Sequence, residues 1–240
     1  MRNYNPSIMI MLALVVFLFI NGGLTNHQGS LMDWFMSKVY ILPGIFIGLC
    51  FHEFAHALAA DKLGDPTPRQ QGRVTIAPLA HIDWIGLVAL FFLGFGWGKP
   101  VQINPPYYKH RRRDELIVAL AGVLMNLLLA VVFTLILKVV IMTTGYTTAG
   151  MVGILKEILF YIIWINVVLL VFNLMPIPPL DGFNVLTQIF DLQKFSWWYK
   201  VYDFGWVILM VFIISDASDV VIAKPATILF NTLYRFAIGF

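Results

Sequence analysis

The chain has 240 residues, of which 60% are hydrophobic and 12% charged, and its formal net charge is +3. An ordinary soluble domain carries about 25% charged residues, and a globule of this size cannot hide so much apolar surface from water. We therefore expect an integral membrane protein, with lipid as the solvent for much of its surface. The small net charge, carried by basic residues in loops, argues against nucleic acid as a partner.

Long apolar runs predict where the chain crosses the bilayer, since a spanning helix needs roughly 20 apolar residues. The runs lie near residues 7–21, 39–60, 82–97, 114–142, 151–175 and 204–223, and an amphipathic or spanning tail lies near 226–240. A signal peptide and an uncleaved anchor are the two interpretations of the first run, and the anchor is favoured because no small-residue cleavage site follows the run. The expected fold is an all-α membrane protein of about six transmembrane helices, forming one membrane-embedded unit over residues 1–240.

Lysine and arginine in the loops predict which helix ends face the cytoplasm. Loops 61–79 and 99–113 are both basic, whereas loop 143–150 contains neither residue type. Both basic loops are therefore placed in the cytoplasm, which gives run 82–97 two cytoplasmic ends. A re-entrant segment satisfies this rule if protein covers its backbone, and an ordinary span that defies the charge bias is the alternative.

The sequence His-Glu-Phe-Ala-His lies inside the second apolar run. His52 and His56 are four residues apart, so both imidazoles lie on one helix face and can bind one tetrahedral ion. Glu53 is offset around the helix, where it can face a water on the metal. Hydrogen-bonded structural histidines are the alternative, but each unpartnered polar group in lipid costs several kcal/mol. The pattern predicts the chemistry of a zinc peptidase.

A third protein ligand must come from elsewhere in the chain. Asp181 is the candidate, within Asn-Leu-Met-Pro-Ile-Pro-Pro-Leu-Asp-Gly at residues 173–182. The prolines exclude a regular helix there, so the chain is irregular after run 151–175 and can fold back. The predicted topology puts this stretch on the same side as the histidines. The residues alone leave two interpretations open, a metal ligand or a turn aspartate before Gly182.

Small and polar residues also recur at helical spacing. Intervals of four separate Gly44, Gly48, His52 and His56 in one run and Gly122, Asn126 and Ala130 in another. Small residues so spaced let helices approach closely in lipid. Three asparagines in the apolar runs need partners inside the bundle. We expect an inter-helix hydrogen bond for Asn166, whereas Asn126 and Asn173, nearer the metal ends of their helices, are candidates for catalysis.

Taken together, His-Glu-Phe-Ala-His, Ala-Gly-Val-Leu-Met-Asn and the proline-rich stretch resemble the site-2 protease family of intramembrane zinc metalloproteases, in its compact prokaryotic form without PDZ or CBS domains. The resemblance covers about residues 40–190. It implies a three-helix catalytic core that binds one Zn²⁺ through His52, His56 and Asp181, with Glu53 as catalytic base. It also implies a re-entrant or short β segment between residues 64 and 106, near the substrate.

The implied reaction is hydrolysis of a peptide bond within or near a transmembrane segment of a protein substrate. The active site is expected to face the cytoplasmic side of a prokaryotic cell membrane. Asn173 and Asn126 are the candidates to hold substrate backbone or to assist the tetrahedral intermediate. His81 is expected to be structural, because a catalytic zinc site needs only three protein ligands. A non-catalytic zinc-binding scaffold and a metal-ion transporter are the alternatives.

Overall fold

The computed structural model describes residues 31–93, 96–215 and 217–239. The helices are α1 Leu31–Lys62, α2 Thr67–Gln70, α3 Pro78–His81, α4 Trp84–Leu93, α5 Arg111–Thr144, α6 Gly150–Asn173, α7 Asp181–Phe190, α8 Ser196–Asp203, α9 Gly205–Ile214 and α10 Lys224–Ile238, with 3₁₀ turns at Pro105–Tyr107 and Leu192–Lys194 and a π-helical turn at Asp219–Ala223. No β-strand forms in these residues. The predicted first span, 7–21, lies outside them.

Helices α1, α5 and α6 pack against one another pairwise and form the frame of the molecule. Each of the three is long and apolar enough to cross a membrane. The approach of α1 to α6 is close at Gly48, where an added Cβ would lie 2.7 Å from a methyl carbon of Leu169. The all-α class and the three-helix core predicted from the sequence are confirmed.

Within run 82–97 the described residues form one short helix, α4, and the residues at the two ends of the run lie next to each other. Helix α4 has ten residues, about 15 Å of rise, which is half of a hydrocarbon core of about 30 Å. Ile82 forms an antiparallel bridge with Gly98, and the Lys99 N–H donates to the carbonyl of His81 at 2.8 Å. This geometry supports the re-entrant interpretation, and the β structure expected in this region is reduced to that single bridge.

Run 204–223 differs from the single straight span predicted for it. Helix α9 ends before Ser215, whose hydroxyl donates to the carbonyl of Phe212 at 2.7 Å, and a π-helical turn follows. Hydroxyl groups that bond to nearby carbonyls compete with helix propagation. Helices α8 and α9 meet at a bend of 59°, and a fourth candidate span exists among the described residues only if this pair is counted as one.

The tail of the chain is an amphipathic helix docked on the core. Helix α10 has 15 residues and packs against α5 and α6. Ala226 and Phe230 are buried in that contact, whereas Ile228 and Phe236 on the other side are exposed. Of the two alternatives for 226–240, an amphipathic or a spanning segment, the structure supports the first.

Helix α7 is held in place at its C-terminal end. Arg112, in the first turn of α5, donates to the carbonyl oxygens of Gln188 at 2.7 and 3.1 Å and of Ile189 at 3.1 Å. Those carbonyls have no partners within the helix, so the guanidinium satisfies them. The Gln188 side chain in turn donates to Glu115 at 2.5 Å. Docking of α7 along α5 directs its first residue, Asp181, towards α1.

Candidate metal centre

The two histidines of α1 present their ring nitrogens to a common point. His52 and His56 are both buried, and their Nε2 atoms lie 3.0 Å apart. Their rings meet edge to face, with an angle of 83° between the planes. This arrangement follows from the four-residue spacing, which stacks both side chains on the face of α1 that packs against α5.

Asp181 completes a triangle of donor atoms. Its Oδ2 lies 3.2 Å from Nε2 of each histidine. Ligands bound tetrahedrally to zinc at 2.0–2.1 Å lie roughly 3.3 Å from one another. The chain between α6 and α7 turns sharply through its prolines and brings Asp181 to the histidines, although it stands 125 residues after His56 (181 − 56). The three atoms therefore have the spacing of a metal-ligand set.

Hydrogen bonds to the other ring nitrogens determine the chemistry of this triangle. His52 Nδ1 donates to Oδ1 of Asn126 at 2.7 Å, and His56 Nδ1 donates to the carbonyl of Val118 at 2.7 Å. In a neutral imidazole, a proton on Nδ1 leaves a lone pair on Nε2. The buried Asp181 Oδ2 has no hydrogen-bond donor. With both imidazoles neutral, two Nε2 lone pairs and a carboxylate oxygen converge on one point, an arrangement that a cation stabilises.

One face of α5 lies directly behind the ligands. Gly122 stands against both rings, since a Cβ there would lie 2.3 Å from Nε2 of His56 and 2.6 Å from Cε1 of His52. One turn before it, Val118 supplies the carbonyl to His56, and one turn after it, Asn126 supplies the amide to His52. Residues 118, 122 and 126 are four apart and share one face of α5. The middle one leaves room for the imidazoles, and each of the other two supplies a hydrogen-bond acceptor to one of them.

A cavity of about 550 Å³ opens beside the triangle. It is bounded by all three ligand side chains, by Glu53 and Asn173, by the irregular segment 98–105 and by the helices α7 to α9. Its lining includes the hydrogen-bonded side chains of Glu115 and Gln188 and the ring of Trp206. The space is large enough for a short stretch of extended peptide beside the metal ligands.

Comparison with known proteins identifies the family. A family model described as Peptidase family M50 matches residues 40–214. The chain belongs to peptidase family M50. This is the family of the site-2 proteases, so the resemblance seen in the sequence motifs is confirmed.

Three bacterial proteins are similar to the chain over more than half of its length. The Bacillus subtilis protein named "Putative zinc metalloprotease YwhC" is 31% identical over 186 residues, which cover 76% of this chain and 84% of the relative. The Mycolicibacterium smegmatis protein named "Putative zinc metalloprotease Rip2" is 29% identical over 194 residues, covering 75% and 69%. The Mycobacterium tuberculosis protein of the same name is 30% identical over 154 residues, covering 62% and 56%. No solved structure matches the chain.

The donor set of this M50 chain fits the family's metal. Two imidazoles and one carboxylate are ligands that zinc accepts in tetrahedral catalytic sites, with the fourth position open to water or substrate. The cofactor of the centre is therefore zinc, as the sequence predicts. His81 stands apart from these ligands, because it is fully buried and its Nε2 contacts the carbonyl of Thr75 at 2.6 Å.

Glu53 lies on the cavity wall beside the ligands. Its Oε2 accepts a hydrogen bond from the Val101 N–H at 3.1 Å, so the carboxylate faces segment 98–105. The three-ligand cluster does not include it. Glu53 is thus near the metal centre without contributing to the ligand triangle, as the offset in the His-Glu-x-x-His pattern predicts.

The two asparagines predicted to be catalytic occupy different places. Asn173, at the end of α6, lines the cavity, and its Nδ2 donates to the carbonyl of Leu169 at 3.0 Å. Asn126 is fully buried behind His52 and does not line the cavity. It reaches the centre only through the imidazole, which differs from the substrate contact expected from its sequence. The Val118 carbonyl was missed altogether, because a main-chain acceptor leaves no side-chain signal in a sequence.

Proposed function

We propose that this chain is an intramembrane zinc endopeptidase, which hydrolyses a peptide bond within or near a transmembrane segment of a protein substrate. One observation carries the proposal. Nε2 of His52, Nε2 of His56 and Oδ2 of Asp181 converge at 3.0–3.2 Å beside a cavity that Glu53 lines. A purely structural zinc site would close all four positions with protein ligands, whereas these three leave one open.

His52, His56 and Asp181 are the proposed ligands. When bound, zinc supplies Lewis acidity, which makes water more acidic and polarises a peptide carbonyl. Glu53 removes one proton from the attacking water as a new C–O bond forms at the carbonyl carbon. It returns that proton to the amine nitrogen as the C–N bond breaks, so the products are a carboxyl and an amine. Asn173, on the cavity wall, holds the substrate backbone or the carbonyl oxygen.

The depth of the ligands suits a substrate bond inside the membrane. His52 lies ten residues before the end of α1 at Lys62, which is about 15 Å along the helix. Peptide bonds of a spanning helix are hydrogen-bonded, so the substrate must unwind locally before cleavage. Segment 98–105 borders the cavity and offers backbone groups with which an unwound substrate can pair.

We further propose that the active site faces the cytoplasmic side of a prokaryotic cell membrane. The basic loop after α1 and the basic loop before α5 both lie at the end of the bundle nearest the metal ligands. Loops rich in lysine and arginine remain on the cytoplasmic side during insertion. The whole chain, residues 1–240, is proposed to form one metalloprotease domain with its catalytic core at about 40–190.

Replacing Glu53 with glutamine tests the function. Glutamine keeps the shape of the side chain but cannot accept the proton, so cleavage of a single-span membrane substrate should fall by at least about a thousandfold. Zinc content should match that of the unmodified protein. Undiminished cleavage would refute the assignment. If cleavage is measured in proteoliposomes, a zinc-flux measurement on the same vesicles distinguishes a peptidase from a metal-ion transporter. Trapping of single-span proteins by the Glu53→Gln form identifies substrates.

A further inference from the structure

Asn166 is a fully buried polar side chain on α6, the core helix from which no ligand atom comes. Its Nδ2 donates to the carbonyl of Ile162, one turn earlier on the same helix, at 2.8 Å. This bond determines the orientation of the amide, because the nitrogen must face Ile162. The Oδ1 atom therefore faces α5 as an acceptor.

The acceptor on Asn166 is used by Asn126. Asn126 Nδ2 donates to Asn166 Oδ1 at 3.0 Å and to the carbonyl of Gly48 at 3.1 Å. With both N–H groups occupied, Asn126 can offer only its oxygen to His52, whose Nδ1 lies 2.7 Å away. The successive hydrogen bonds from His52 to Asn126, from Asn126 to Asn166 and from Asn166 to Ile162 all run in one direction.

That direction decides which nitrogen of His52 can bind a metal. An oxygen opposite Nδ1 requires Nδ1 to carry the proton, which leaves the lone pair on Nε2, the atom 3.2 Å from Asp181 Oδ2. If the Asn126 amide were flipped, an N–H group would face Nδ1 and favour the opposite tautomer. That tautomer carries its proton on Nε2 and cannot bind zinc there.

We propose that Asn166 is a positioning residue of the metal centre: by accepting a hydrogen bond from Asn126, it keeps His52 in the tautomer that binds zinc. The proposal rests on the proposed ligand role of His52. It gives α6 a part in metal affinity although α6 supplies no ligand. Groups that orient a ligating histidine typically change metal affinity by 10- to 100-fold when removed.

Zinc affinity of the full-length protein in detergent micelles, measured by competition with a chelator, tests this role. Asn166→Leu removes the acceptor at similar volume, so zinc should bind about tenfold more weakly. Asn166→Asp is the conservative variant. Its carboxyl is protonated in the apolar bundle, so it donates to Ile162 and still accepts from Asn126. We expect this variant to bind zinc with nearly the affinity of the unmodified protein.

Thr134→Val is the matched control for a lost buried hydrogen bond. Thr134 is buried on α5 and bonds only along its own helix, to the carbonyl of Ala130 at 2.7 Å. This variant should bind zinc normally. The visible spectrum of the cobalt-substituted protein gives a second readout, which should change with Asn166→Leu and remain constant with Thr134→Val. If Asn166→Leu does not fold, Asn166→Ala removes the same acceptor and is judged by the same criteria.

A double variant tests whether Asn126 and Asn166 act on His52 in series or independently. Residues that act in series are non-additive, so Asn126→Leu with Asn166→Leu should bind zinc no more weakly than Asn126→Leu alone. The proposal would be overturned if Asn166→Leu bound zinc with unchanged affinity. It would also be overturned if Asn166→Asp weakened zinc binding as much as Asn166→Leu, or if the losses in the double variant were the sum of those in the two single variants. The Asp181→Ala variant distinguishes a failure of the proposed ligand site from a failure of the Asn166 proposal. If Asp181→Ala binds zinc normally, the ligand assignment is wrong. If Asp181→Ala binds zinc weakly while Asn166→Leu binds it normally, only the positioning role of Asn166 is rejected.

Discussion

The Arg73 side chain is hydrogen-bonded to the main chain at Pro100. Its guanidinium Nη2 donates to the carbonyl of Pro100 at 2.7 Å and to that of Lys99 at 2.9 Å. Arg73 is buried, and the residue that follows Pro100 is Val101, whose N–H contacts Glu53. A side chain 20 residues after Glu53 thereby fixes where the segment 98–105 lies relative to the proposed base.

We therefore expect Arg73→Met to reduce cleavage without loss of zinc. Hydrogen bonds from a charged group are worth about 1.5–3 kcal/mol, so loss of segment placement should lower kcat/KM by at least about tenfold. Arg69→Met is the control, since Arg69 is exposed and pairs with Asp61 on the surface. Equal activities of the two variants in a substrate-cleavage assay would contradict this account of the segment.

Gly122→Ala should abolish metal binding while the helix remains intact. Alanine favours helices, but its Cβ would lie 2.3 Å from Nε2 of His56 and force the imidazoles away from Asp181. We expect zinc affinity to fall by more than about a hundredfold, with helical content unchanged by circular dichroism. The control is Leu124→Ala, whose exposed side chain points away from the ligands on the same helix. Normal zinc content in Gly122→Ala would show that the rings have more room than the geometry allows.

Asp181→Ala should leave only two protein ligands and lower zinc stoichiometry well below one per chain. Metal analysis after gel filtration measures this directly. Asp191→Ala removes another acid of the same region, which pairs with Lys194 at the surface, and should retain zinc. Full occupancy in Asp181→Ala would remove this residue from the ligand set.

Arg112→Met should weaken the attachment of α7 to α5. The guanidinium satisfies the carbonyls of Gln188 and Ile189, and its loss should destabilise the docked helix by about 1–3 kcal/mol. Limited proteolysis within residues 174–195 should become faster, and zinc should dissociate more readily because Asp181 begins that helix. Arg113→Met, at an exposed neighbouring position, is the control. Equal proteolysis rates in both variants would refute the anchoring role.

Removal of the metal should lower the melting temperature. A ligand that binds only the folded state stabilises it by about 2.7 kcal/mol at a hundredfold excess over its Kd. Chelation should therefore shift thermal unfolding downwards, and added zinc should restore it. The Glu53→Gln variant should show the same shift as the unmodified protein, because Glu53 is not one of the three proposed ligands. An Asp181→Ala variant that responds to zinc as strongly would argue against the assignment of the site.

Local patterns predicted the residues that meet at the candidate metal centre better than the arrangement of the surrounding helices. His52, Glu53 and His56 form a contiguous motif whose chemistry follows from helix geometry, and the inter-helix hydrogen bond of Asn166 follows from the cost of an unpaired amide in lipid. The orienting role of Asn126 could not be predicted, because it depends on which neighbour each amide atom meets. The break after α9 also escaped prediction, since apolar composition alone does not reveal competing hydroxyls.

The ligand triangle has a topological consequence. Zinc bound to both His56 and Asp181 would close a ring from residue 56 to residue 181, which contains the short helix α4 and both long helices α5 and α6. A cross-link across so large a ring removes substantial chain entropy from the unfolded state. The ion proposed to activate water would then also stabilise the fold of the core. Loss of zinc would therefore inactivate the protein and make its core helices easier to unfold in a single event.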